Sequence, residues 1–115
     1  MTKYMNLHTE WTHTALLSLS NVFEYTFQEF GEKQLNILVG KINSTIDKLT
    51  IFPKLGQRND YLSEIIGIEI RSIKVIKEIK ILYVIRNETI IIEYVKNTRQ
   101  DDNKVLEMMK KDQSE

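Results

Sequence analysis

Two rhythms of apolar residues divide the chain. Leu16, Leu19, Phe23, Phe27 and Phe30 recur at spacings of 3, 4, 4 and 3, the period of one helical face. Thr12 stands just ahead of them as an N-cap, its hydroxyl suited to a free amide of the first turn. Gly31 follows as a residue that accepts the left-handed conformation at a helix end. A second stripe, Leu35, Leu38, Val39, Ile42, Ile46 and Leu49, has spacings of 3, 1, 3, 4 and 3. It stops at Phe52-Pro53, because the residue before a proline is pushed out of the helical region. These patterns predict a helical hairpin with Phe23, Phe27 and Phe30 in its core.

The second rhythm is that of strands. Ile79 to Ile85 and Thr89 to Val95 are dense in β-branched and aromatic residues, and Arg86-Asn87-Glu88 between them is the right length for a hairpin turn. Nearly every position in both runs is apolar, so the pattern predicts two covered faces, or one covered face and one that binds something. Tyr83 lies on the core-facing parity. Ile68 to Ile76 alternates with a change of parity that a β-bulge near Arg71-Ser72 reconciles. Met5 to Trp11 alternates too and predicts a short extra strand, with Trp11 anchoring it to the first helix. Lys54 to Gly67, carrying Gly56, Asn59, Asp60 and Gly67, reads as a loop. After Asp101, Val105, Leu106 and Met109 fit a short helix, with fraying from Lys110 onward; together with Met108 they also fit an apolar patch for a partner to cover. The expected fold is α+β: an N-terminal helical hairpin on a three- to four-stranded, mainly antiparallel twisted sheet, then a short C-terminal helix or tail. The chain reads as a single domain over 1–115, with its core in 5–106.

At 115 residues, 42% of them apolar, the chain buries roughly two-thirds of its unfolded surface. It has no cysteine, which excludes disulfides, thiol nucleophiles and cysteine metal sites. His8 and His13 lack a third ligand and read as surface residues. Adjacent Asp101 and Asp102 fit helix capping and the helix dipole. No nucleotide-binding glycine motif is present, and the longest apolar run, Ile81 to Ile85, is far short of a membrane span. No leader-like apolar segment opens the chain. No cofactor, metal or membrane partner is expected, and the location expected is the cytoplasm.

Charge adds one thing. The whole chain balances 16 Lys and Arg against 16 Asp and Glu. Between Arg71 and Arg99, however, seven basic residues face three acidic ones, a net +4 flanked by segments of −2 on each side. With one sheet face under the helices, the basic strand residues should gather on the other face or at its rim, available to phosphates or an acidic partner.

The order of elements, carried by Trp11-Thr12 with Ala15 and Leu19, Leu49 with Phe52-Pro53 and Gly56, Glu69 to Ile73, Lys80 to Ile85, and Tyr94-Val95 running into Asn97 to Asp101, resembles the RelE/ParE toxins of bacterial type II toxin–antitoxin systems, including plasmid-stabilisation members. The resemblance covers about Leu7 to Leu106. It implies a growth-inhibiting toxin neutralised by a cognate antitoxin, with which it can form a hetero-oligomer. Two branches follow. ParE-like members bind DNA gyrase, and the ending Arg99-Gln100-Asp101 together with a C-terminal segment free of Tyr and His favours that branch. RelE-like members cleave messenger RNA on the ribosome, without a metal; in that case Lys80 and Arg99 occupy the positions of the catalytic cations. For either target, the resemblance and the charge block point to Arg71, Lys74, Lys77, Lys80 and Arg99 as the target- or phosphate-binding residues. A third reading is a non-toxic antitoxin-binding module.

Overall fold

The computed structural model describes residues 6–113. It opens with strand β1 (His8–Trp11) and helix α1 (His13–Ile51). Thr12 caps α1, its Oγ1 accepting from the Ala15 amide at 3.0 Å. The helix breaks at Gly31, where φ of 89° and ψ of 178° leave the helical region in a conformation that costs a residue with a Cβ far more than glycine. The two arms fold back on each other: Thr12 starts the first beside the end of β1, while the second returns to its beginning, the Leu7 amide donating to the Thr50 carbonyl at 2.9 Å. Met5, at the start of the predicted first strand, lies outside the described residues.

The stretch read from sequence as a loop contains two elements, β2 (Gln57–Arg58) and α2 (Asp60–Ile66). The polar residues taken for loop formers are the caps of α2. Asn59 Oδ1 accepts from the Leu62 amide at 2.9 Å, and Gly67 takes φ of 90° at the other end. Then come β3 (Arg71–Ile76), β4 (Ile79–Arg86), β5 (Thr89–Asn97) and α3 (Asp102–Gln113), which continues past Lys110.

The sheet has five strands in the order β1-β5-β4-β3-β2, antiparallel except for β1, which runs parallel to β5. The register irregularities are not at Arg71-Ser72. One lies between Lys74 and Ile76; the other interrupts the β4–β5 ladder, where Tyr83 pairs with Ile92 but Leu82 with Tyr94. Glu93 is the extra residue, and its carbonyl accepts from Thr12 Oγ1 at 3.3 Å.

Both faces of the sheet are covered, which is why its strands are apolar at nearly every position. Under the hairpin lie Ile79, Ile81, Tyr83, Ile90, Ile92 and Val95, against Ala15, Val22, Leu38, Ile42 and Leu49. On the opposite face Leu82, Val84 and Tyr94 meet Leu62 of α2, Ile70, and Val105 and Met109 of α3. The tail residues thus fill the protein's own core rather than forming an open patch. Each fully buried aliphatic side chain contributes about 1.5–3 kcal/mol.

The first arm of α1 packs differently from its periodicity. Its buried line is Ala15, Ser18 and Val22, while Leu16, Phe27 and Phe30 are 51%, 52% and 63% exposed. Ser18 explains the shift: its Oγ donates to the Ala15 carbonyl and accepts from the Val95 amide, both at 2.8 Å. That amide is satisfied only if small residues let the helix approach the sheet closely, which turns Leu16, Phe27 and Phe30 outward, while Leu19 and Phe23 of the predicted stripe still pack against the core from its margin.

Candidate functional site

The basic residues separate into three environments. Residues directly opposite in neighbouring strands share a face. Lys74 pairs with Lys80 and Lys80 with Lys96, so three lysines form a row across β3, β4 and β5 on the face away from the hairpin. Like charges directly opposite destabilise a sheet by roughly 0.2–1 kcal/mol per pair. A carboxylate moderates this one: Lys96 Nζ lies 2.8 Å from Asp102 Oδ1 in the first turn of α3. Asn59 Nδ2 donates to Asp102 Oδ2 at 3.3 Å.

Burial by itself would raise the Asp102 carboxyl. The hydrogen bonds from Lys96 and Asn59, with the charges of Lys96 and Lys80, outweigh it and hold the group below its ordinary value. Its partner Asp101 takes the simpler role expected from sequence, its Oδ1 accepting from the Lys104 amide at 2.9 Å as an N-cap. Because the Asp102 carboxyl titrates lower when folded than the roughly 3.9 of an unfolded chain, its contribution is full above that pH and is lost as pH falls through the folded value. Asp102→Asn should therefore destabilise the protein at pH 7 and progressively less below about pH 4. Urea unfolding at both ends of that range checks this; a difference from wild type that stays constant on acidification would show that the charge is not what matters.

Lys77 and Arg99 lie at the same end of the sheet as the row. Lys77 is exposed in the β3–β4 turn. The segment after β5 is tied to that turn by the Thr98 amide donating to the Glu78 carbonyl at 2.8 Å. Arg99 itself is exposed, its backbone fixed by a 2.9 Å bond from its amide to Asn97 Oδ1. Lys74, Lys77, Lys80 and Arg99, four of the five residues singled out from sequence, thus share one end of the sheet.

Arg71 stands apart. It pairs with Tyr83 and so faces the hairpin side, where Nη1 donates to the Gly56 carbonyl at 2.6 Å and the Lys54 carbonyl at 3.3 Å. Nη2 meets Glu69 at 2.8 Å. Its side chain is 17% exposed, and the guanidinium is engaged in holding the 53–56 loop. Tyr83 holds the same loop, donating to the Pro53 carbonyl at 2.7 Å and accepting from the Gly56 amide at 2.9 Å. Burial raises the Tyr83 phenol, against the lowering effects of the Gly56 amide and Arg71, so it is a neutral donor.

Three contributors to this end of the molecule were not singled out for the site. Lys96 completes the lysine row. Asn59 caps α2 and Tyr61 lies in its first turn, the Tyr61 hydroxyl donating to Asn103 Oδ1 in the first turn of α3. A tyrosine is therefore present beside the C-terminal helix although that helix has none of its own. The signal for Lys74 opposite Lys80 was available, since the two are equidistant from Lys77 in the turn. Lys96 was not: without the extra residue Glu93, Lys80 would face Val95.

Among the described residues no helix is long and apolar enough to cross a membrane. Residues 9–102 match the family model described as the ParE toxin of the type II toxin–antitoxin system, parDE. The fold is similar to a chain of the solved "Chromosomal ParDE TA system from P. aeruginosa", with a TM-score of 0.63 at 16% identity, covering 79% of this chain and 95% of that one. Comparison with curated proteins gives no match.

Proposed function

The chain belongs to the ParE toxin family of type II toxin–antitoxin systems, and from that premise we propose that it is the growth-inhibiting member of such a pair, held inactive by a cognate antitoxin, and that it acts in the cytoplasm by binding DNA gyrase. The observation that carries this reading is the family match across residues 9–102. Support for a contact surface comes from the basic end of the sheet, where Lys74 and Lys80 lie on the face away from the hairpin and Lys77 and Arg99 are exposed at its edge, the charge that an acidic or phosphate-bearing partner needs.

One observation favours a second reading, cleavage of messenger RNA. That chemistry needs cations for the developing phosphorane charge and a group to move a proton. Lys80 in the lysine row and Arg99 supply the first, and the Tyr61 hydroxyl beside α3 offers a candidate for the second. Gyrase supercoiling and ribosome-bound message cleavage, assayed side by side with the purified chain, separate the two. Supercoiling inhibited with message intact supports the gyrase reading, and the converse result replaces it with the nuclease. If neither activity appears and expression leaves growth unhindered, the chain is an antitoxin-binding module instead.

Arg99→Ala is expected to reduce growth arrest on induction while changing stability by no more than about 0.5 kcal/mol, as for an exposed side chain. Growth curves and thermal melts check it together. A large loss of stability would make Arg99 structural rather than a contact residue.

A further inference from the structure

The lysine row leaves charge unanswered in the free chain. Lys74, Lys80 and Lys96 stand opposite one another on three adjacent strands. Neighbouring strands lie roughly 5 Å apart, so the row is about 10 Å long. Lys74 is exposed, and Lys80 and Lys96 are half-buried. One carboxylate serves all three: Asp102, with Oδ1 on Lys96 at 2.8 Å and Oδ2 accepting from Asn59 at 3.3 Å. Among the described residues neither Lys74 nor Lys80 has a hydrogen bond or ion pair of its own. Three ammonium groups against one carboxylate leave an excess of two positive charges on this face. Lysine offers each as a point charge, which suits phosphate.

The surroundings select a compact anion. Helix α2 carries Asp60 and Glu64 and no basic residue. Asp101 stands at the start of α3, and Glu78 follows Lys77 in the β3–β4 turn. A long phosphodiester strand laid along the row runs on towards these carboxylates, whereas a short chain of linked phosphates stays within it. Asp102 is also free to change partners. Its neighbour Asp101 caps α3 through the Lys104 amide, so withdrawal of Asp102 from Lys96 leaves the helix capped.

We infer that the lysine row is a binding site for an oligophosphate, and that Asp102 is a tethered competitor which the ligand displaces from Lys96. Repulsion between opposed lysines in the free sheet becomes attraction to the bound anion, so the ligand should also raise the melting temperature. Lys74 and Lys80 belong to the surface proposed above for target contact, and an oligophosphate bound there covers it. That last consequence rests on the proposed function; the site itself does not.

The probe is inorganic tripolyphosphate, titrated by calorimetry into the full chain at fixed ionic strength without divalent cations. Lys80→Gln and Lys74→Gln should each weaken binding by about tenfold, the loss of one charged hydrogen bond. Lys48→Gln, which removes the same charge from the second arm of α1, should change it by less than about twofold. Asp102→Asn should strengthen binding by about fivefold, and Glu64→Gln on α2 by less than about twofold. Removing one of the opposed charges spares the sheet their repulsion, so Lys80→Gln should melt no lower than wild type. In the wild-type chain the Asp102 carboxyl titrates below its ordinary value; with tripolyphosphate bound, its side-chain carbon signal should titrate at higher pH. Absence of binding, or affinity indifferent to Lys74 and Lys80, overturns the site. Binding that leaves the Asp102 titration unmoved overturns the competitor. A short single-stranded oligonucleotide that binds more tightly than tripolyphosphate replaces the compact ligand with a polynucleotide backbone. All of these are read on the purified chain alone, so they stand or fall separately from growth arrest.

Discussion

Gly56→Ala is expected to be among the most damaging small substitutions in the chain, costing about 3 kcal/mol through forced displacement of packed atoms. Gly56 does not have positive φ, so torsional strain is not the reason. A Cβ built there would lie 2.7 Å from the Ser72 carbonyl oxygen, 2.7 Å from the Tyr83 hydroxyl oxygen and 2.8 Å from Tyr83 Cε1. Two of those atoms belong to a fully buried ring, and the third is backbone in β3. Neither can retreat cheaply.

Tyr83→Phe attacks the same clamp from the other side. It leaves the Gly56 amide and the Pro53 carbonyl without the hydroxyl that each bonds, and an unsatisfied buried polar group costs about 1–3 kcal/mol. The double variant should be less damaging than the two changes added, because removing the hydroxyl relieves one of the clashes while the Ser72 oxygen remains. Urea unfolding of the three variants measures this coupling. Full additivity would mean that the loop has moved off Tyr83 in solution and that Arg71 alone holds it.

The second large effect is expected at α3. Val105 is fully buried among Leu62, Ile70, Leu82, Val84 and Tyr94, and Val105→Asp places there a carboxylate with no partner. An unpaired buried charge is costly enough that the structure escapes it by a cheaper route. Here the cheaper route is to undock α3, giving up the burial of Val105 and Met109, about 3–6 kcal/mol at ordinary values for two side chains. Undocking also withdraws Asp102 from Lys96, leaving the lysine row without its carboxylate. Hydrogen exchange should show amides of 104–111 losing protection while those of β4 keep theirs. Loss spread evenly over both would mean that α3 is inseparable from the folding of the sheet.

How much of this was legible depends on what each element relies on. The second arm of α1 and the strands β4 and β5 are specified by apolar residues that end up buried, so their periodicity gave both type and facing. The first arm is positioned by Ala15, Ser18 and a bond to the Val95 amide; hydrophobic periodicity does not register a serine as a packing residue, and it pointed to Phe27 and Phe30 instead. Helix α2 has only seven residues, too few for a period to emerge, and its Asn and Gly caps look like loop residues. The same physics limits the site. That Lys96 joins the lysine row follows from the β4–β5 register, which the extra residue Glu93 shifts; its carbonyl bonds Thr12, 81 positions away.

That pairing of the two ends of the chain has a consequence for synthesis. β1 can join the sheet only beside β5, with His8 opposite Thr89 and Trp11 opposite Ile92, and the first arm of α1 needs Val95 for its Ser18 bond. Closing so long a loop is entropically costly and gains its contacts last. While the C-terminal third is still in the ribosome, the emerging polypeptide holds its helical hairpin without the surface that hairpin was made to cover. The fold therefore completes in one late step, when β5 emerges and takes up β1 and the Ser18 bond together.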